Sequence, residues 1–86
     1  MRFKISQYAA HKLERRGIPL AQLESVLNDP QQVVPGKGGR KIYQSQVDRG
    51  DGKMALLRAI VIDNVESALV VTVYRTKQIQ KYWRQP

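Results

Sequence analysis

The chain has 86 residues, with 15 lysines and arginines against seven aspartates and glutamates, one histidine and no cysteine, for a formal charge of +8. That length suits one domain with one core, and the missing cysteines exclude a disulfide framework, a zinc ribbon and a thiol nucleophile. So large a cation excess on so small a body points first to a polyanionic partner such as nucleic acid.

Arg2 to Ile5 reads as a short opening strand. Ser6 suits a helix N-cap, its hydroxyl accepting from an N–H of the first turn. Gln7 to Arg16 follows as a helix ended by Gly17, a residue that takes the left-handed conformation a helix end favours. Steps of about 100° per residue put Ala9, Ala10 and Leu13 on one face and Tyr8, His11, Lys12 and Arg15 on the other. Ile18-Pro19 opens a second helix, with proline tolerated in the first turn and Leu20, Leu23, Val26 and Leu27 at helical spacing. Ile18 is placed to staple against Leu23, and Asn28-Asp29-Pro30 stops the helix.

Beyond Gln31 the period changes. Val33-Val34 leads into the loop Pro35-Gly36-Lys37-Gly38-Gly39. Arg40 to Val47 alternates as a strand, and Asp48-Arg49-Gly50-Asp51-Gly52 is a hairpin signal. Lys53 to Asp63 is almost continuously apolar, as in a central strand covered on both faces. Arg58 interrupts it on the side of Met54, Leu56, Ile60 and Ile62. Ala68 to Arg75 forms the last clear strand, with Val71, Val73 and Arg75 on one side and Val70, Thr72 and Tyr74 on the other. Thr76 then caps a helical turn through Lys77 to Trp83, or the segment extends the sheet edge; the residues leave both open. Short turns between sequential strands favour antiparallel pairing. The expected fold is therefore α+β, with two N-terminal helices burying Leu13, Leu20, Leu23 and Leu27 on one face of a three- to four-stranded antiparallel sheet. The other sheet face is left for a partner.

No nucleotide-binding motif is present. The glycine-rich stretch before Arg40 lacks the Lys-Ser/Thr ending and helix of a phosphate loop, although Lys37, Arg40 and Lys41 suit a basic flap over a polyanion. Residues 67–86 contain no acid. Thr72, Tyr74, Arg75, Lys77, Lys81, Trp83 and Arg84 therefore place hydroxyls, aromatics and cations together, a mixture that stacks bases while neutralising phosphates. His11, Lys12, Arg15 and Arg16 make the first helix cationic. Arg58 has two readings, a phosphate contact or a structural ion pair. No segment approaches the ~18 apolar residues of a membrane span, and Met1-Arg2-Phe3-Lys4 is not followed by a signal-peptide core. A cytoplasmic protein without membrane contact, metal or small-molecule cofactor is expected.

Ser6-Gln7-Tyr8-Ala9 through Leu13-Glu14-Arg15-Arg16-Gly17-Ile18 resembles the opening of the domain of unknown function 4258 family. So do Asn28-Asp29-Pro30, Arg40-Lys41-Ile42-Tyr43 and Val71-Thr72-Val73-Tyr74-Arg75-Thr76. That family looks like a relative of the RelE/ParE toxin and barnase–EndoU ribonuclease folds, which implies a RelE-like body and RNA cleavage. The family pattern opens its helix with His-Ala where this chain has Tyr8-Ala9, and carries Arg where Lys12 stands. The resemblance carries over Arg16, Tyr43, Thr72, Tyr74 and Arg75.

The expectation is a small basic RNA-binding protein acting as a metal-independent endoribonuclease of toxin type, with an acidic antitoxin as a further partner. Tyr43, Tyr74, Arg75 and His11 are the candidate catalytic residues. Arg16, Lys37, Arg40, Lys41, Arg58, Thr72, Lys77, Lys81, Trp83 and Arg84 are the candidate nucleic-acid contacts. The alternative is a non-catalytic nucleic-acid or protein-binding module using the same surface.

Overall fold

The computed structural model describes residues 3–85. A short strand β1 (Phe3–Ile5) precedes helices α1 (Gln7–Arg16) and α2 (Leu20–Asn28). Strands β2 (Gln32–Pro35), β3 (Lys41–Asp48), β4 (Met54–Ile62) and β5 (Ala68–Thr76) follow, then the single helical turn α3 (Ile79–Tyr82). The five strands form one sheet in the order β1-β5-β4-β3-β2. β1 runs parallel to β5, and the other neighbours are antiparallel. This corrects the expected three- to four-stranded antiparallel sheet: the sheet is five-stranded and mixed. Two short edges account for the difference. β2 is four residues cut off by Pro35, and β1 pairs only with Ala68 to Val70, a partner its own sequence does not signal. Arg2, expected to begin β1, lies outside the described residues.

Ser6 makes the transition from strand to helix. Its N–H donates to the Val70 carbonyl (3.0 Å), continuing the strand pairing, and its hydroxyl donates to the Val71 carbonyl (2.8 Å). The same hydroxyl accepts from Ala9 N–H (3.0 Å) and so caps α1. Among the described residues, the outer edge of β5 has no strand neighbour beyond Val70. Gly17 ends α1 in the left-handed region (φ 63°), where its N–H reaches back to the carbonyl of Glu14.

The main core lies between the helices and one sheet face. Ala9, Leu13, Ile18, Leu23, Val26 and Leu27 meet Tyr43, Leu57, Ala59, Val61, Ala68, Val70 and Val73. Leu20, expected in this core, is half exposed. The strand β5 does not alternate strictly. Ile60 pairs with Thr72 but Val61 with Val70, so Val71 is an inserted residue, and Val70 joins Val73 on the helix face. A period-two reading, which set Val70 opposite Val73, cannot register such a bulge.

The second sheet face is not left bare. Leu56 and Gln44 are wholly buried there and Arg58 is 7% exposed. The residues after β5, left open between helix and strand in the sequence, fold into α3, which continues through Trp83 and Arg84 as a strap across this face. Thr76 Oγ1 accepts from Gln78 N–H at 3.0 Å, and Trp83 N–H closes the turn on the Ile79 carbonyl at 2.8 Å. No described helix is long and apolar enough to cross a membrane.

Candidate nucleic-acid interface

The uncovered end of β5 and the polar side of α1 enclose a groove of about 490 Å³. Among the described residues its cations are Lys12, Arg16, Arg49, Arg75 and Lys77; Tyr74 forms an aromatic wall, and no described acidic side chain lines it. Tyr8, Lys12 and Arg16 recur at four-residue spacing, one stripe of α1. Lys12 Nζ lies 5.9 Å from the Tyr8 ring centre and 5.8 Å from that of Tyr74. Tyr74 belongs to the face opposite the core, so Lys12 reaches it around the bare β5 edge.

The other cations are placed by α2 and the β3–β4 turn. Gln22 Nε2 donates to the Asp48 carbonyl (2.9 Å), and its Oε1 accepts from Arg75 Nη1 (3.2 Å). Asp48 Oδ1 accepts from Gly50 N–H (2.6 Å), and Arg49 N–H bonds the Lys53 carbonyl (3.0 Å), so the tight turn presents Arg49 to the groove. Asp51 approaches Arg49 Nη2 only at 4.0 Å and on the surface, where such a pair neutralises little.

Behind Tyr74 a row of polar side chains crosses four strands. Gln32, Gln44, Arg58 and Tyr74 are direct cross-strand neighbours in β2, β3, β4 and β5. Arg58 Nε donates to Gln44 Oε1 (2.8 Å) and Nη1 donates to Tyr74 Oη (2.6 Å). Gln44 Nε2 donates to Gln32 Oε1 (2.8 Å) and to the Tyr82 carbonyl (3.2 Å). Gln32 Nε2 donates to the Arg84 carbonyl (2.7 Å) and its Oε1 accepts from Arg84 N–H (3.1 Å). The Tyr82 ring lies over the Arg58 guanidinium, 4.2 Å from carbon to ring centre. Among the described residues no carboxylate pairs with Arg58, so the ion-pair reading of this arginine finds no support there.

The expected site residues are thus divided. Arg16, Tyr74, Arg75 and Lys77 share the groove. Arg58 sits under the strap that carries Lys81, Trp83 and Arg84. Thr72 points to the strap face with its Oγ1 buried and without a partner. Tyr43 lies on the helix face, edge-on to Phe3 (5.8 Å), and donates to Asp63 Oδ2 (2.8 Å). Burial and that carboxylate push its pKa up to about 12, so it holds its proton inside the core. Lys41 pairs with the same Asp63 (3.3 Å). Lys37 and Arg40 are exposed around the turn between β2 and β3. That stretch starts β3 opposite Val61, whereas the groove lies at the Ala55 end of β4. His11 is exposed on α1 and does not line the groove. Sequence reasoning misses Arg49, Gln22 and Gln44. Arg49 reads as turn punctuation, and the glutamines gain meaning only from strand register. Among the described residues no three potential ligands converge to hold a metal ion.

No family model, curated protein or solved structure matches the chain.

Proposed function

We propose that the chain binds single-stranded RNA, holding the phosphodiester backbone in the groove between α1 and the end of β5. One observation carries this reading: among the described residues, five cationic side chains and an aromatic ring line one groove without an acid. Lys12, Arg16, Arg49, Arg75 and Lys77 neutralise successive phosphates, and Tyr74 offers a face on which a base stacks. An aromatic face of this kind serves an unstacked base, which a single strand offers and a duplex does not.

Metal-independent cleavage of the bound strand is the second reading, favoured by the 2.6 Å bond that orients the Tyr74 hydroxyl beside these cations. In that step the 2′-oxygen bonds to phosphorus and loses its proton to solvent base. The P–O5′ bond breaks, and the departing 5′-oxygen takes a proton from Tyr74. The cations stabilise the charge that builds on phosphorus.

Fluorescence anisotropy with a labelled single-stranded RNA tests the first reading, and incubation with the same RNA in EDTA tests the second. Binding is expected to weaken steeply with salt. Affinity indifferent to salt overturns the RNA reading. Intact RNA at every pH, with binding retained, overturns cleavage and leaves a binding module. Displacement of the RNA by an acidic protein identifies an antitoxin-like partner for the same groove.

A further inference from the structure

We infer that Arg58 and Tyr74 form a covered subsite for one phosphate of the bound strand, and that the strap from Ile79 to Arg84 is its cover. This rests on the RNA reading of the groove and extends it beneath the strap.

The charge on Arg58 is the first observation. The residue is only 7% exposed, yet both of its side-chain bonds go to neutral acceptors, Gln44 and Tyr74. A shielded cation of this kind is costly without an anion. The strap does not supply one: residues 79–84 carry Lys81 and Arg84 and no acid. Lys81 Nζ lies 5.3 Å from the Tyr82 ring whose centre is 4.2 Å from Arg58. The cover thus adds positive charge where neutralisation is missing.

The free donor is the second. Nη2 makes no hydrogen bond among the described residues. It is not among the fully buried partnerless atoms, a class that contains only Thr72 Oγ1 among the described residues. It therefore keeps some contact with solvent and has no partner for its N–H groups among the described residues, while Nε and Nη1 fix the plane of the guanidinium. Those N–H groups are free to donate to a phosphate oxygen in a charge-assisted hydrogen bond.

The third is the anchorage of the strap. No residue of α3 is buried. The strap holds by backbone bonds to the side chains of Gln32 and Gln44, which water or a ligand can replace, by the Tyr82 stack on Arg58, and by an edge contact between the Tyr82 and Tyr74 rings (6.3 Å). Lifting it leaves the Gln44–Arg58–Tyr74 row in place, since the sheet holds that row. Tyr74 lines the groove as well as touching Arg58, so a strand lying in the groove meets the subsite without a turn.

Trp83 is the only tryptophan of the chain and sits on the strap, so its emission reports the cover. A labelled single-stranded RNA is titrated into the full chain, with anisotropy read beside acrylamide quenching of Trp83. Quenching is expected to rise as the RNA saturates, and Arg58→Met is expected to weaken binding about tenfold, the loss of a charged hydrogen bond. A Gln32→Cys/Arg84→Cys pair in this cysteine-free chain closes the strap. Oxidation is expected to lower affinity to the Arg58→Met level and a reductant to restore it. Unchanged Trp83 quenching with wild-type affinity in Arg58→Met overturns the subsite while the groove reading stands. Undiminished affinity in the oxidised pair overturns it equally, and decides the matter if Arg58→Met fails to fold. Absence of any RNA binding by the wild-type chain at low salt overturns the groove reading itself.

Discussion

Gln44 holds Arg58 across β3 and β4, its Oε1 accepting from Nε at 2.8 Å while its amide donates to Gln32 and to the Tyr82 carbonyl. One wholly buried amide thus fixes both the guanidinium and the strap above it. Gln44→Leu strips Arg58 of an acceptor and is expected to cost about 2–4 kcal/mol in urea unfolding. Adding Arg58→Met removes the stranded cation, so the double variant should be more stable than the sum of the singles predicts, by about 1 kcal/mol or more. Additive losses would show that the two side chains do not depend on each other.

Groove contacts have an electrostatic signature that mere loss of net charge lacks. Each neutralised phosphate of a single strand contributes about −0.7 to the slope of log affinity against log salt, so five contacts give about −3.5. Lys12→Gln, Arg16→Gln and Arg75→Gln are each expected to flatten the slope by about 0.7. Lys37→Gln and Arg40→Gln remove the same charge outside the groove and should leave the slope near the wild-type value. Equal effects from both sets would place the RNA elsewhere.

The Tyr43 phenol, pushed up to about 12 by burial and Asp63, binds its proton more tightly in the folded chain than in the unfolded one. Its share of stability is therefore fully present below pH 10, the ordinary tyrosine value, and is lost as the pH rises from there through about 12. Unfolding free energies measured across this window should fall more steeply for the wild type than for Tyr43→Phe. At neutral pH that variant is expected to cost about 1 kcal/mol for the lost hydrogen bond, because Asp63 retains Lys41.

A side-chain carbon added at Gly17 would meet open space, but the backbone there has a φ of +63°. Gly17→Ala is expected to cost about 1 kcal/mol by thermal unfolding, from backbone conformation alone. Gly17→Asn should cost less, since asparagine enters the left-handed region more readily. A larger loss for asparagine would point to crowding instead.

The first two helices, the caps of α1 and the three long strands are legible because each announces itself locally: Ser6 and Gly17 bracket α1, and Asp48 to Gly52 turns β3 into β4. What was not legible depends on partners distant in the chain. Phe3 to Ile5 says nothing of a parallel neighbour at Ala68 to Val70, and the bulge at Val71 reverses the faces of Val70 and Ala68 without any glycine to mark it. The candidate site divided the same way. Charge density identified α1 and the end of β5, which do converge, but also Lys37 to Lys41, which the run of β3 carries to the opposite end of the sheet. Tyr43 and Tyr74 looked alike as tyrosines on alternating strands; strand pairing sends them to opposite faces, one to Asp63 and the other to Arg58.

The Ser6 hydroxyl and the Val71 carbonyl it bonds are 65 residues apart. During synthesis the β2 to β4 meander can pair as it emerges, whereas β1 must wait for β5 before it finds an edge. Closing so long a loop is slow relative to hairpin formation. Until it happens, the apolar side of α1 and the Ala68 to Val70 edge of β5 are both uncovered, which makes the attachment of the first strand the step most open to mispairing between chains.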